Sequence, residues 1–205
     1  MANGLDTCAD AEYLPRVEHV ARRTKEQAMQ SIYDIGTIER VPADSPARNR
    51  TITAPRHGKK VNRWCGMGAV SAITGCTTDL PALIIAKMRF WNDITPRDIA
   101  RVKGTYTHEV AHALRVLGWE MTRIRKYDGQ TFAKVCDDKR DPNTAYLVAA
   151  AQHWMVVQGK YFADNQLGLV RCDDAHKRRG IVNDVHIVRR VRIVNDAAVL
   201  KFLRA

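Results

Sequence analysis

From Ala145 to Val157 the chain runs Ala-Tyr-Leu-Val-Ala-Ala-Ala-Gln-His-Trp-Met-Val-Val. Gln158-Gly159-Lys160 interrupt it, and Tyr161-Phe-Ala-Asp-Asn165 follows. Two runs rich in β-branched and aromatic residues around a short glycine turn predict a hairpin, with residues 145–157 as its first strand. Helical periodicities dominate much of the remaining chain, so the fold class is read as α+β, a helical half packed against an antiparallel β-sheet half. The turn brings His153 and Asp164 side by side. Successive strand residues point to opposite faces, so only one of Asp164 and Asn165 can reach the His153 ring. Asp164 shares parity with Phe162 and is the preferred partner; a twist or bulge would exchange it for Asn165.

The second informative stretch is Asn62-Arg63-Trp64-Cys65-Gly66-Met67-Gly68-Ala69-Val70-Ser71-Ala72-Ile73-Thr74-Gly75. It predicts a helix that begins at Cys65, runs through small and apolar residues and stops at Gly75, where a left-handed residue is expected. A cysteine in a first helical turn faces unpaired N–H groups and the positive end of the helix dipole, and both favour thiolate. The same N–H groups suit the oxyanion of an acyl-transfer intermediate. A buried structural cysteine is the plain alternative. His153 and Asp164, as base and orienting group for Cys65, favour the catalytic one.

Along the rest of the chain, apolar residues at helical spacing predict an amphipathic helix over about 16–34. Thr37 to Lys60 holds three prolines and many basic residues without an apolar period, which reads as a loop or arm. Residues 1–60 are therefore set apart as an N-terminal helix and basic arm, and 61–205 as the main domain. Within that domain, helices are expected from Asp79 (burying Leu83, Ile84 and Met88), from Pro96 behind a Thr95 cap, over Tyr106–Leu117, over Thr131–Asp137 and over Ala197–Leu203. Short strands are expected over Met121–Ile124 and Val185–Val194.

The net charge of +11 points to an acidic protein partner or nucleic acid, through the Arg48–Lys60 arm and the arginines at 189, 190 and 192. No recognisable nucleic-acid module accompanies that charge. The longest apolar runs are too short to span a bilayer, so no membrane partner is expected. Five cysteines at 8, 65, 76, 136 and 172, with no Cys-x-x-Cys pair and no visible secretory signal, fit a reducing cytoplasm and argue against a cysteine zinc site.

Three segments taken in order carry a family resemblance. They are Asn-Arg-Trp-Cys65-Gly-Met-Gly-Ala, Gly104-Thr-Tyr-Thr-His-Glu-Val-Ala-His-Ala-Leu-Arg-Val-Leu-Gly118, and Gln152-His153-Trp-Met-Val-Val-Gln-Gly-Lys-Tyr-Phe-Ala-Asp164-Asn165. Over roughly residues 61–166 this set resembles the papain-like cysteine peptidases, most closely the double-glycine-leader (bacteriocin-processing) branch. The resemblance implies a papain-like fold, Cys65 as nucleophile, His153 as general base then acid, and Asp164 as orienting group. That branch carries a glutamine oxyanion donor six residues before the cysteine. Lys59 stands there in this chain, and Asn62 is the nearest carboxamide able to replace it. The implied activity is a cysteine hydrolase, peptidase or isopeptidase, acting on a polypeptide without cofactor or metal.

A competing motif lies in the middle segment. His108-Glu109-Val110-Ala111-His112 matches His-Glu-x-x-His, which on a helix can offer two zinc ligands and a base. Its helix starts only a few residues earlier, and Glu120, past Gly118, is the nearest third ligand. The helical wheel sets His108, His112 and Arg115 opposite the apolar face, which explains both histidines without metal. A non-catalytic binding or structural protein reusing the fold is the remaining alternative.

Overall fold

The computed structural model describes residues 39–40, 50–56, 64–90, 94–138, 141–174, 179–194, 199 and 203. In chain order the elements are strand Glu39–Arg40 (β1), helices Cys65–Thr74 (α1), Asp79–Phe90 (α2), Pro96–Arg101 (α3) and Thr107–Val116 (α4), strand Trp119–Arg123 (β2) and helix Phe132–Asp138 (α5). Strands Ala145–Ala150 (β3), His153–Gln158 (β4), Tyr161–Asp164 (β5), Gly168–Arg171 (β6), Val182–Arg190 (β7) and Arg192–Ile193 (β8) follow. Val199 and Leu203 are helical. Six strands form one antiparallel sheet in the order β2-β7-β3-β4-β5-β6, and β1 pairs separately with β8. The chain is α+β, as its periodicities predict. The predicted helix over 16–34 and most of the basic arm lie outside the described residues.

Alternation along the strands splits the core in two. Leu147, Trp154, Val156, Ala163 and Val188 join the residues of α1–α4 on one face of the sheet. Val148, Met155, Val157, Phe162 and Val185 join Tyr127 and the α5 residues Phe132, Val135 and Cys136 on the other. Every residue of β4 is buried, because this strand is covered on both faces. Helix α1 lies against β4, β5, α2 and α4, and every residue from Gly66 to Ile73 is buried. Its glycines, alanines and serine let those neighbours approach. Met67, Val70 and Ile73 each contribute about 1.5–3 kcal/mol of burial. Gly75 ends the helix at φ +78°, its N–H donating to Ser71 O at 2.7 Å.

Residues 50–56 belong to this packing, although the sequence reading sets them in a separate arm. Buried Gln158 accepts from Ile52 N at 2.6 Å and donates to Arg50 O at 3.2 Å. Thr53 N donates to Ala72 O and Arg56 N to Ser71 Oγ. The arginine side chains close the far end of α1: Arg50 Nη1 reaches Thr74 O at 2.6 Å and Arg56 Nη1 reaches Gly75 O at 3.0 Å. Cations there satisfy orphan carbonyls and complement the dipole, so these two charges already have partners.

Several expected elements are redrawn. Residues 145–157 form two strands rather than one, folding back so that Ala150 faces His153. A single strand of that length would extend about 43 Å, beyond the usual strand length. The reversal is hidden in the sequence because its corner residues, Ala151 and Gln152, carry no turn signal, yet both have positive φ (50° and 58°). Ala151 N is tied to Ile181 O at 3.2 Å, and the β3–β7 register shifts at Ala149/Ala150. The predicted Val185–Val194 strand starts at Val182 and breaks at Val191, whose N–H goes to Gly118 O. Strand β6 carries no sequence expectation. In α2 the buried stripe is Leu80, Ala82, Ile84, Ile85 and Ala86, with Leu83 and Met88 half-buried. The α3 cap is as predicted, with Thr95 Oγ1 accepting from Asp98 N.

The Ala151-Gln152 corner yields a stability prediction. Two-residue hairpin turns with both φ positive favour Asn-Gly, and a left-handed non-glycine residue costs about 1–2 kcal/mol. Ala151→Asn/Gln152→Gly is expected to stabilise the fold by about 1 kcal/mol net of the glycine's unfolded-state entropy. Thermal unfolding should then shift upward by about 2–4 °C. A lowered melting temperature contradicts the turn geometry.

Candidate active site

The start of α1 and one end of the β4–β5 hairpin meet. Trp64 precedes the helix at φ −105° and ψ 36° with no side-chain cap, and the first intrahelical bond is Gly68 N to Trp64 O at 2.8 Å. The N–H groups of Cys65, Gly66 and Met67 thus lack helical partners. Half-buried Cys65, first residue of α1, feels the His153 side chain and the backbone N–H groups of Trp154 and Gly66. Burial pushes its pKa up. The His153 hydrogen bond, the Trp154 N–H, the histidine charge and the Gly66 N–H together outweigh that and hold the thiol below its ordinary value.

His153 is 5% exposed, and its Nε2 lies 3.1 Å from Oδ2 of the fully buried Asp164. Asp164 Oδ1 accepts from Gln166 N at 2.9 Å and Leu167 N at 2.6 Å. Desolvation raises the carboxyl's pKa, but the His153 contact and the Leu167 and Gln166 N–H groups hold it below the usual range. Asp164 is therefore an acceptor. It fixes the proton on Nε2 and leaves Nδ1 for the sulfur. Strand register explains the geometry. Val156 pairs with Ala163, so the next step sets Asp164 opposite Met155, diagonal to His153 on one face. The buried Asn165 falls on the alternate parity. Asn62 and Lys59 lie outside the described residues.

The His-Glu-x-x-His motif sits on α4, and its glutamate is engaged elsewhere. Arg89 of α2 donates a fork to Glu109, Nε to Oε1 at 2.6 Å and Nη2 to Oε2 at 2.8 Å. Glu109 Oε2 also accepts from Tyr106 N at 2.8 Å, capping the helix as an N3 glutamate does. Burial raises the Glu109 pKa, and Arg89, the Tyr106 N–H and His108 lower it below the usual value. His108 is exposed and stacks on Tyr106, His112 is half-buried, and Glu120 is exposed on β2. Among the described residues no three His, Cys, Asp or Glu side chains gather as a metal-binding group. The purified protein is expected to hold no stoichiometric zinc, and strong chelation to leave the reactivity of Cys65 unchanged. One zinc per chain, lost on His112→Ala, contradicts that outcome.

Three contributors carry no sequence expectation as site residues. The backbone N–H of Trp154 is one; its indole Nε1 donates to Thr105 O at 3.2 Å. Thr105 is the second, because its side chain occupies the space beside Gly66. A Cβ on Gly66 would run into Thr105 Oγ1 and lie 2.9 Å from Thr105 Cβ. Arg89 is the third. The Gly104-Thr105 pair reads in sequence only as a helix opener, and nothing in the sequence ties Arg89 to the site.

Comparison of the chain with protein-family models, with curated proteins and with solved structures finds no match. Among the described residues no helix is long and apolar enough to cross a membrane.

Proposed function

We propose that the chain is a cysteine hydrolase of papain-like architecture, a peptidase or isopeptidase acting on a polypeptide through Cys65, His153 and Asp164. One observation carries the reading: at the start of α1 the Cys65 thiol is held low by His153, whose ring lies 3.1 Å from the buried Asp164 carboxylate. A structural cysteine needs no such imidazole–carboxylate pair beside it. The helix-borne thiol against a sheet-borne histidine, followed in the chain by its acid, supports the papain-like assignment.

In this reading the Cys65 thiolate attacks the substrate carbonyl, and N–H groups at the start of α1 receive the oxyanion. His153 holds the thiol proton and delivers it to the leaving amine. Water, deprotonated by His153, then hydrolyses the thioester and restores the thiol. Asp164 keeps the ring oriented and does no bond-making. An amine in place of water gives acyl transfer by the same route. No cofactor enters the chemistry.

The test is a panel of peptidyl aldehydes and vinyl sulfones applied to the folded, reduced protein. The expected result is a single vinyl-sulfone adduct, mapped to Cys65 and blocked by prior aldehyde. If no probe modifies Cys65, a non-catalytic scaffold becomes the better reading. A salt-sensitive gel shift with DNA or RNA would then favour nucleic acid over an acidic protein as partner for the +11 chain.

A further inference from the structure

Gly66, which follows Cys65, and Trp154, which follows His153, both touch a single residue, Thr105. Its side chain packs against Gly66, and its carbonyl takes the indole N–H of Trp154. Glycine at 66 is what permits that approach. Thr105 Oγ1 is buried and has no hydrogen-bond partner among the described residues. An unsatisfied buried hydroxyl costs about 1–3 kcal/mol, so something must hold Thr105 where it is.

The residues on either side of Thr105 are both fastened to one ion pair. Arg89 Nη2 donates to Gly104 O at 3.0 Å, and Glu109 Oε2 accepts from Tyr106 N at 2.8 Å. Arg89 and Glu109 are joined by their two-point fork, with side chains 23% and 4% exposed. The other charged group acting on Glu109 is His108, from its own helix. A bidentate guanidinium–carboxylate pair fixes direction as well as distance. The backbone of residues 104–106 is therefore anchored from α2 and α4 together.

We propose that Arg89 and Glu109 are positioning residues for the nucleophile: their ion pair holds Thr105 where it fixes Gly66 and Trp154, the residues that directly follow Cys65 and His153 in the chain. The central glutamate of the His-Glu-x-x-His motif thereby acquires a role with no metal in it. The proposal rests on reading Cys65 as a working thiolate. Its test separates the two claims.

The measurement is the pH dependence of iodoacetamide alkylation at Cys65, followed by peptide mass spectrometry, with thermal unfolding of each variant alongside. Trp154→Phe keeps an aromatic ring and removes the indole N–H. Arg89→Lys keeps the charge and loses the fork, and Glu109→Gln removes the ion pair. In each, the alkylation midpoint should rise by about half a unit or more, leaving roughly threefold less thiolate at neutral pH. His112→Ala, on the same helix, should leave the midpoint in place. A merely structural role would lower the melting temperature and not move the midpoint.

Unchanged midpoints in folded Trp154→Phe and Arg89→Lys overturn the proposal. Trp154→Phe decides alone if the charge variants fail to fold. An ordinary thiol midpoint in the wild-type protein is a different failure, which removes the thiolate reading itself.

Discussion

Cys65→Ala and His153→Ala are each expected to abolish turnover of any peptide substrate that the probe panel leads to, while the protein stays folded. The double variant should be no worse than either single one, because a nucleophile and its base act as one unit and their losses do not add. Asp164→Ala should cost roughly a hundredfold less than His153→Ala, since it orients the base and forms no bond to substrate. Its hydrogen bonds to Gln166 and Leu167 N–H also shape the end of β5. Asp164→Asn is therefore the cleaner test, keeping the side-chain oxygen for those donors. Asn165→Ala serves as the register control and should affect stability more than rate. A larger rate loss from Asn165→Ala than from Asp164→Ala would show that the wrong neighbour was assigned to the ring. A scaffold predicts another pattern, with all these substitutions changing stability alone.

Parts of this site were legible because local rules and tertiary needs agree there. Gly75 marks the end of α1, and the small residues before it leave little choice but a buried helix. The parity of Phe162 and Asp164 sets the third residue on the face of the ring because β5 is regular through Asp164. Legibility failed where long-range contacts override a weak local signal. Ala151 and Gln152 adopt left-handed conformations without glycine or asparagine, beside the Ala151 N–H bond to Ile181 O and the shift in β3–β7 register. The Arg89–Glu109 pair joins residues twenty apart on different helices, and nothing in either segment announces the other. His-Glu-x-x-His is ambiguous in sequence for the same reason. A helix presents the motif identically whether its glutamate faces a metal or an arginine from the next helix, and only the neighbour distinguishes them. Arg50 and Arg56 read as free basic charge because the helix end they close lies about twenty residues away.

The four described cysteines should separate widely when they compete for limiting iodoacetamide at neutral pH. Cys65 is expected to react first, because its thiol is held below the ordinary value and its sulfur lies in a half-buried position. Cys76 is the internal contrast. Desolvation, only partly offset by the Thr74 hydroxyl and by Arg56 and Arg50, pushes its thiol up to about 11. At pH 7 that leaves about one thiolate in ten thousand. Cys136 and Cys172 are buried in the second core and should label only on unfolding. His153→Ala should reverse the order of effects at Cys65. The desolvation that raises its pKa stays, the largest opposing contribution goes, and the alkylation midpoint should climb toward or past that of an ordinary thiol. The signs also reach stability. Folded Cys65 gives up its proton before the unfolded chain does, so its contribution is present at alkaline pH and is lost as pH falls through the folded value. Cys76 behaves oppositely. The unfolded chain releases that proton in the ordinary thiol range while the folded protein keeps it to about 11, so stability should decline with rising pH across that window. Cys76→Ala should flatten the decline, and denaturant unfolding at several alkaline pH values reads it directly. Faster labelling of Cys76 than of Cys65 in the folded protein, or an alkylation midpoint at Cys65 that ignores His153→Ala, is incompatible with a thiolate shared with His153.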